Sequence, residues 1–217
     1  MRPTGLLGAL RHRTAALHVE AERSGIIAEI LQGRAGRAGY ALLLRNLLPV
    51  YSTMEDALER HRGAPVIGHI SRPELYRTPA IAADLRILSE DLAELPLIAE
   101  AVDYADAVLR ASYGPGSLLV AHAYARYLGD LSGGQIMKRL LMKSPGLPAS
   151  ALAFYDFSAI SDIAAYKADL RGAIERAGDD IDDFDAIVEE GAKAFDLNIK
   201  LSVALQDAVD LGVISSV

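Results

Sequence analysis

In residues 4–23, Leu7, Leu10, Thr14, Leu17, His18 and Ala21 fall on one stripe at helical spacing. Residues 37–62 repeat the pattern with Leu43, Leu47, Val50, Tyr51, Met54 and Leu58 inward, and Pro49 among them predicts a kink or a break. The stretch GAPVIGHISRPELYRTP carries three prolines and two glycines and reads as a long irregular connection. Helices are predicted again over 80–95 and 96–112, with Pro96 suited to a first helical turn. YGPGS is a turn, and Tyr124–Leu141 follows as a helix interrupted by Gly129, Gly133 and Gly134. KSPGLPAS breaks the chain, LAFYDF has the character of an extended run, and Ser161 or Asp162 offers a cap for a helix reaching Ala177. After the acidic turn GDDIDD, residues 184–211 place Phe184, Val188, Gly191, Phe195, Asn198, Ser202, Leu205 and Val209 at a heptad-like spacing. With no repeat and no linker, the pattern predicts one all-α domain over 1–217, of about eight helices.

Composition narrows the chemistry. Hydrophobic residues make up 51%, yet no run approaches the ~20 apolar residues of a bilayer span. The start, MRPTGLLGALRHRT, is broken by Arg11, His12 and Arg13 and lacks the form of a signal peptide. A soluble cytoplasmic protein without a membrane anchor is expected. The absence of cysteine removes disulfides, thiolate-bound haem, iron–sulfur clusters and Cys-type zinc sites together. A net charge of −7 argues against nucleic acid as partner. The basic groups Arg2, Arg11, Arg13 and Lys138, Arg139, Lys143 read, taken alone, as solvated helix faces.

Each glycine inside a helix costs about 1 kcal/mol relative to alanine, so three of them in one helix need a reason. LSGGQ imitates a nucleotide-binding signature, but there is no Gly-Lys pair to build the phosphate loop that such a domain needs. No histidine has a glutamate three residues before it, which disfavours a di-iron carboxylate site. A haem fits better. Gly129 and Gly133 are four apart on one helix face, and a face without Cβ atoms lets a flat macrocycle approach the backbone. The alternative, close helix–helix packing of the G-x-x-x-G kind, leaves Asp130 beside the glycines unexplained. His18 is either a core histidine or an iron ligand. Glu22, one turn on, could accept its second ring N–H, and Arg11 lies about 10 Å back on the same face, a spacing suited to a haem propionate. Lys167 and Arg171 form a second pair of cations on one helix face.

LLVAHAYARYLGDLSGGQ, ALHVEAE, YKADLR and KAFDLNI, in this order and spacing, resemble the haem oxygenase family from about Leu6 to Leu205. The resemblance implies an all-α fold with haem b, substrate and cofactor at once, between the first helix and the glycine-rich one. It implies His18 as proximal iron ligand, Gly129, Gly133 and Gly134 as the distal helix over the ring, and Asp130 as the carboxylate that organises distal water. Tyr51, Arg126 and Asn198 match the rest of that network. Arg11, Tyr124, Lys167 and Arg171 match propionate contacts, and Phe195 and Glu22 complete the haem-binding set. Arg11 stands where relatives often carry lysine, which keeps the charge and changes the reach.

The implied reaction is cleavage of haem at a meso carbon, the α carbon by expectation, to biliverdin, CO and ferrous iron. It uses O2 and electrons from an external soluble ferredoxin or flavin reductase, and a monomer is expected. Two other functions compete: a haem-binding module that does not degrade its ligand, and a hydrolase or cofactor-ring oxidase on a related helical scaffold.

Overall fold

A computed structural model describes residues 5–89 and 95–212. Within them the chain forms ten α-helices: α1 (Leu6–Glu22), α2 (Gly25–Leu31), α3 (Arg37–Arg60), α4 (Pro65–Gly68), α5 (Thr78–Leu88), α6 (Ala99–Ala111), α7 (Leu119–Ser132), α8 (Gly134–Leu141), α9 (Ile163–Asp179) and α10 (Phe184–Asp210). Short 3-10 turns occupy Pro73–Leu75, Ala149–Ala151 and Ala153–Tyr155, and no strand occurs among the described residues. The expected all-α class is what forms.

Helix α10 runs through the middle, with α1, α2, α6 and α7 packed along it. Gly191 makes the approach of α1 possible, because a Cβ there would overlap the Leu10 side chain. Gly25 does the same at the start of α2. Its φ of +54° favours glycine, and a Cβ would collide with the carbonyl of Ser202. The Ser202 hydroxyl completes that joint, accepting from the amide of Ile27 at 3.2 Å and donating to the carbonyl of Ser24 at 2.9 Å.

Carboxylates fix the remaining elements, exposed at the caps of α9 and α10 and buried at Glu55 and Asp84. Asp162 and Asp183 cap α9 and α10, accepting from the amides of Ala165 and Ala186 at 2.9 and 3.0 Å. Glu55 reaches from α3 to accept the amides of Arg77 and Thr78 at the head of α5. Asp84 reaches from α5 to the amides of Ala153 and Phe154, 2.8 Å each. Such groups are satisfied because an unpaired buried donor costs about 1–3 kcal/mol.

Several sequence expectations change. Pro49 lies inside α3, so of the kink or break expected there the break does not occur. The connection through residues 63–79 is ordered by α4 and a 3-10 turn and enters α5 at Thr78. The helix expected over 80–95 ends at Leu88, and residues 90–94 lie outside the described residues. Pro96 precedes its helix: α6 starts at Ala99, and the Pro96 carbonyl accepts from the buried Asn46 side chain at 3.0 Å. LAFYDF is a 3-10 turn pinned by Asp84, not an extended run. Local apolar content there resembled a strand, but a carboxylate from another helix sets the backbone.

Candidate functional site

The glycine-rich segment is two helices sharing one residue. Gly133 ends α7 and begins α8: its amide donates to the Gly129 carbonyl at 2.8 Å, and its carbonyl accepts from Met137 at 3.0 Å. Beneath this joint lies a cavity of about 710 Å³ between α1 and α7–α8, with Phe195 and Asn198 of α10 on its wall. Its volume is that of a small-molecule or cofactor site, roughly 300–1,000 Å³.

The two glycines four apart present bare backbone. A Cβ at Gly129 would meet nothing within 4 Å, and one at Gly133 only the Gly129 carbonyl at 3.6 Å. No packed neighbour requires their small size. On α1 the wall carries His18. Its side chain is 56% exposed, so it is not the core histidine that its stripe allowed. The Glu22 carboxylate stands 3.6 Å from Nδ1, and the Phe195 ring lies 5.8 Å from the imidazole. One nitrogen thus faces a carboxylate, the arrangement that orients and enriches a metal-binding imidazole.

Asp130 sits at the inner end, buried, among Tyr51 of α3, Arg126 of α7 and Asn198 of α10. The Tyr51 hydroxyl donates to Asp130 Oδ2 and accepts from Arg126 Nε at 2.9 Å. Arg126 also donates to Asn198 Oδ1, lies 5.0 Å above the Tyr51 ring, and keeps Nη2 3.7 Å from Asp130 Oδ1. Burial pushes the Asp130 carboxyl above its ordinary range, against the pull of Arg126 and the Tyr51 hydrogen bond. Burial likewise pushes the Tyr51 phenol well up. For Arg126 burial works against the charge, and Tyr51 and Asp130 outweigh it, holding the guanidinium above its usual value. The acid is thus biased to keep a proton while its neighbours stay fixed.

Arg11 and Arg171 both border the cavity; Lys167, one turn before Arg171 on α9, does not. Tyr124 borders it too, and its hydroxyl lies 3.3 Å from Thr14 Oγ1 of α1. Gly134 lies on the cavity wall with Gly129 and Gly133, as expected. Its Cβ position is filled by Tyr155, 2.8 Å away. Tyr155 and Thr14 escaped the sequence reading as site residues. The second of two adjacent glycines was the available signal for a bulky neighbour. His122, two turns before Asp130, is buried and tied to Glu190 at 3.0 Å, as a structural residue should be.

A family model described as Heme oxygenase matches residues 4–204. Heme oxygenase 1 of the cyanobacterium Synechocystis sp. is 36% identical over 198 residues, covering 90% of this chain and 82% of that protein. The crystal structure of heme oxygenase-1 from Synechocystis sp. in complex with heme superposes with a TM-score of 0.84 at 33% identity, covering 97% of this chain and 98% of that one. Heme oxygenase-2 from the same organism, in complex with heme and NO, gives a TM-score of 0.88 at 32% identity, over 96% and 88% of the two chains.

Proposed function

Because this chain belongs to the haem oxygenase family, we propose how its own residues carry out that family's reaction. The enzyme is a haem oxygenase: it opens the macrocycle at a meso carbon to yield biliverdin, CO and iron. The observation that carries the site assignment is that one cavity is lined by the His18 imidazole, the Cβ-free backbone of Gly129 and Gly133, and the buried Asp130. These residues fit haem. Bound there, haem supplies an iron that takes O2 and electrons, and supplies the ring that is cut.

His18 would offer its imidazole from α1, with the Glu22 carboxylate 3.6 Å from Nδ1. A neutral imidazole pushes less electron density than a thiolate does, which disfavours simple O–O splitting. Gly129 and Gly133 would let the α7–α8 wall approach a bound macrocycle, with no side chain to compete for that space. Asp130 holds and moves the proton. Its Oδ2 is taken by the Tyr51 hydroxyl, so Oδ1 is the atom that exchanges a proton with the cavity, through water. Positioned proton transfer of this kind contributes about 10²–10⁴-fold to rate. Arg126 and Asn198 keep Asp130 and Tyr51 in register.

Arg11 and Arg171 are proposed to pair with the two haem carboxylates, with Tyr124 beside them and Lys167 as an outer cation. We propose the α-meso carbon as the cleaved position and a soluble ferredoxin or flavin reductase as electron donor. Arg139 and Lys143, with Ile136 and Met142 around a shallow hollow on α8, offer such a donor a basic surface with an apolar floor. No helix among the described residues is long and apolar enough to cross a membrane, which accords with a cytoplasmic place of work. The whole chain is proposed to act as one unit and as a monomer.

Reconstitution with hemin followed by an electron donor tests the reading: a Soret band and then biliverdin are expected. His18→Ala should abolish the ferric histidine spectrum, and added imidazole should restore it. An unaltered spectrum in that variant would assign the ligand elsewhere.

A further inference from the structure

Gly134 lines the cavity with Gly129 and Gly133, but it is the one glycine of the run whose Cβ would meet a packed side chain. Its backbone needs no special conformation, since no positive φ is found there. A Cβ at this position would stand 2.8 Å from Cδ1 and 3.3 Å from Cε1 of Tyr155, nearer than such atoms pack. The small residue answers to that ring.

Tyr155 cannot readily give way. It is buried, and its ring stacks 6.3 Å from Tyr40 and packs 4.6 Å from Phe154. Its carbonyl accepts from Gln135 Nε2 at 2.9 Å, and its hydroxyl meets the Met137 sulfur at 3.7 Å, both on the first turn of α8. The 3-10 turn that bears it is fastened on the far side. Asp84 holds the amides of Ala153 and Phe154, and Arg77 donates to the carbonyls of Phe154 and Asp156 at 3.4 and 2.9 Å. Arg77 is itself buried over the Phe157 ring at 4.0 Å. A chain of contacts thus runs from α5 through Tyr155 to the joint at Gly133.

We infer that Tyr155 is a positioning residue, a fixed stop against which Gly134 rests, and that this contact sets how closely the Gly129–Gly133 face approaches the His18 wall. Its effect on ligand rests on the haem reading above; the packing contact itself does not. Adding a methyl at 134 forces α8 off the stop and tilts the joint, so the slot between the walls changes. Removing the ring lets the same segment settle outward.

The test compares wild type, Gly134→Ala, Tyr155→Val, the double variant and Tyr155→Phe. Hemin affinity is read from Soret titration, the CO stretching frequency from the ferrous–CO complex, and melting from the apoprotein. Gly134→Ala should weaken hemin binding by about tenfold or more and shift the CO frequency, and adding Tyr155→Val should bring affinity back to within roughly threefold of wild type. Tyr155→Val alone should move the CO frequency, while Tyr155→Phe, which keeps the ring, should track wild type.

Wild-type affinity in Gly134→Ala, or no recovery in a cooperatively melting double variant, overturns the inference. If Gly134→Ala does not fold, renewed folding of the double variant supports it and continued failure refutes it. Absence of any Soret band from the wild type would strike the haem reading instead, and the melting of the apoproteins would still decide the contact.

Discussion

Arg126 and Tyr51 are joined twice: the guanidinium donates from Nε to the phenol oxygen at 2.9 Å and also lies 5.0 Å above the same ring. Through that oxygen the cation meets the acid, since the Tyr51 hydroxyl donates a hydrogen bond to Asp130. Tyr51→Phe keeps the ring and removes the hydroxyl. It leaves Arg126 Nε without its acceptor and Asp130 without its donor. A loss of about 1–3 kcal/mol in apoprotein stability is expected from denaturant unfolding. Because the lost hydrogen bond had lowered the Asp130 pKa, the Asp130-dependent limb of the pH–rate profile should move to higher pH.

Asp130→Asn separates binding from chemistry. Hemin affinity should stay near wild type, while biliverdin formation falls by about 10²–10⁴-fold and peroxidase-like chemistry takes its place. Unchanged turnover would remove Asp130 from the mechanism. Stability should respond in a defined direction. The folded carboxyl titrates above the ordinary 3.8, so the native state holds the extra proton between 3.8 and its raised value. Its contribution is full below 3.8 and lost as pH rises through the folded pKa. The melting-temperature difference between variant and wild type should therefore shift in favour of asparagine across that interval.

Glu190 behaves in the opposite sense. Burial pushes its pKa up, but hydrogen bonds from His122 and Lys193 outweigh burial and hold it below the ordinary 4.5. The native state then binds fewer protons than the unfolded chain. The stabilisation is complete above 4.5 and disappears as pH falls through the folded value. Glu190→Gln should melt lower than wild type at neutral pH, and the two melting curves should converge on acidification.

Two glycine substitutions should part company. Gly25→Ala puts a side chain at positive φ against the Ser202 carbonyl, and a loss of about 3 kcal/mol or more, or failure to fold, is expected. Gly129→Ala meets no neighbour in the protein and sits within α7. The apoprotein should gain up to about 1 kcal/mol in unfolding free energy, whereas hemin affinity should fall, as Soret titration would show. An apoprotein destabilised by Gly129→Ala would mean that a packed helix, not a ligand, requires that glycine.

Arg11→Ala with Arg171→Ala should weaken hemin binding by about tenfold or more, since hydrogen bonds to charged groups are worth about 1.5–3 kcal/mol each. The product should become a mixture of biliverdin isomers, resolved by chromatography. Lys167→Ala should change both measures less, because Lys167 is not on the cavity wall.

Much of the architecture was legible in helical periodicity. The stripe through Leu7, Leu10 and Thr14 became the buried face of α1, and the spacing in the last helix became the α10 axis. That His18, Arg126 and Asp130 line one cavity was legible as well, since the motifs around them are long and ordered. What stayed hidden was set by partners distant in sequence. The turn at Ala153–Tyr155 depends on Asp84, about seventy positions earlier. The separate reasons for Gly129 and Gly134 could not be told apart either, because only the fold shows which Cβ would find space and which would find Tyr155. Lys167 shares a helix face with Arg171, yet a one-turn offset is enough to leave it off the wall.

Helix α10 has a further consequence. The proximal wall is seated on it where Leu10 fits against Gly191, and the distal wall where Arg126 meets Asn198, seven residues and about 10 Å farther along. Both jaws of the slot are therefore gauged from one rod. A change in α10 that rotates Gly191 away from α1 also carries Asn198 away from Arg126, so the grip on the ligand and the alignment of the acid are calibrated by the same part.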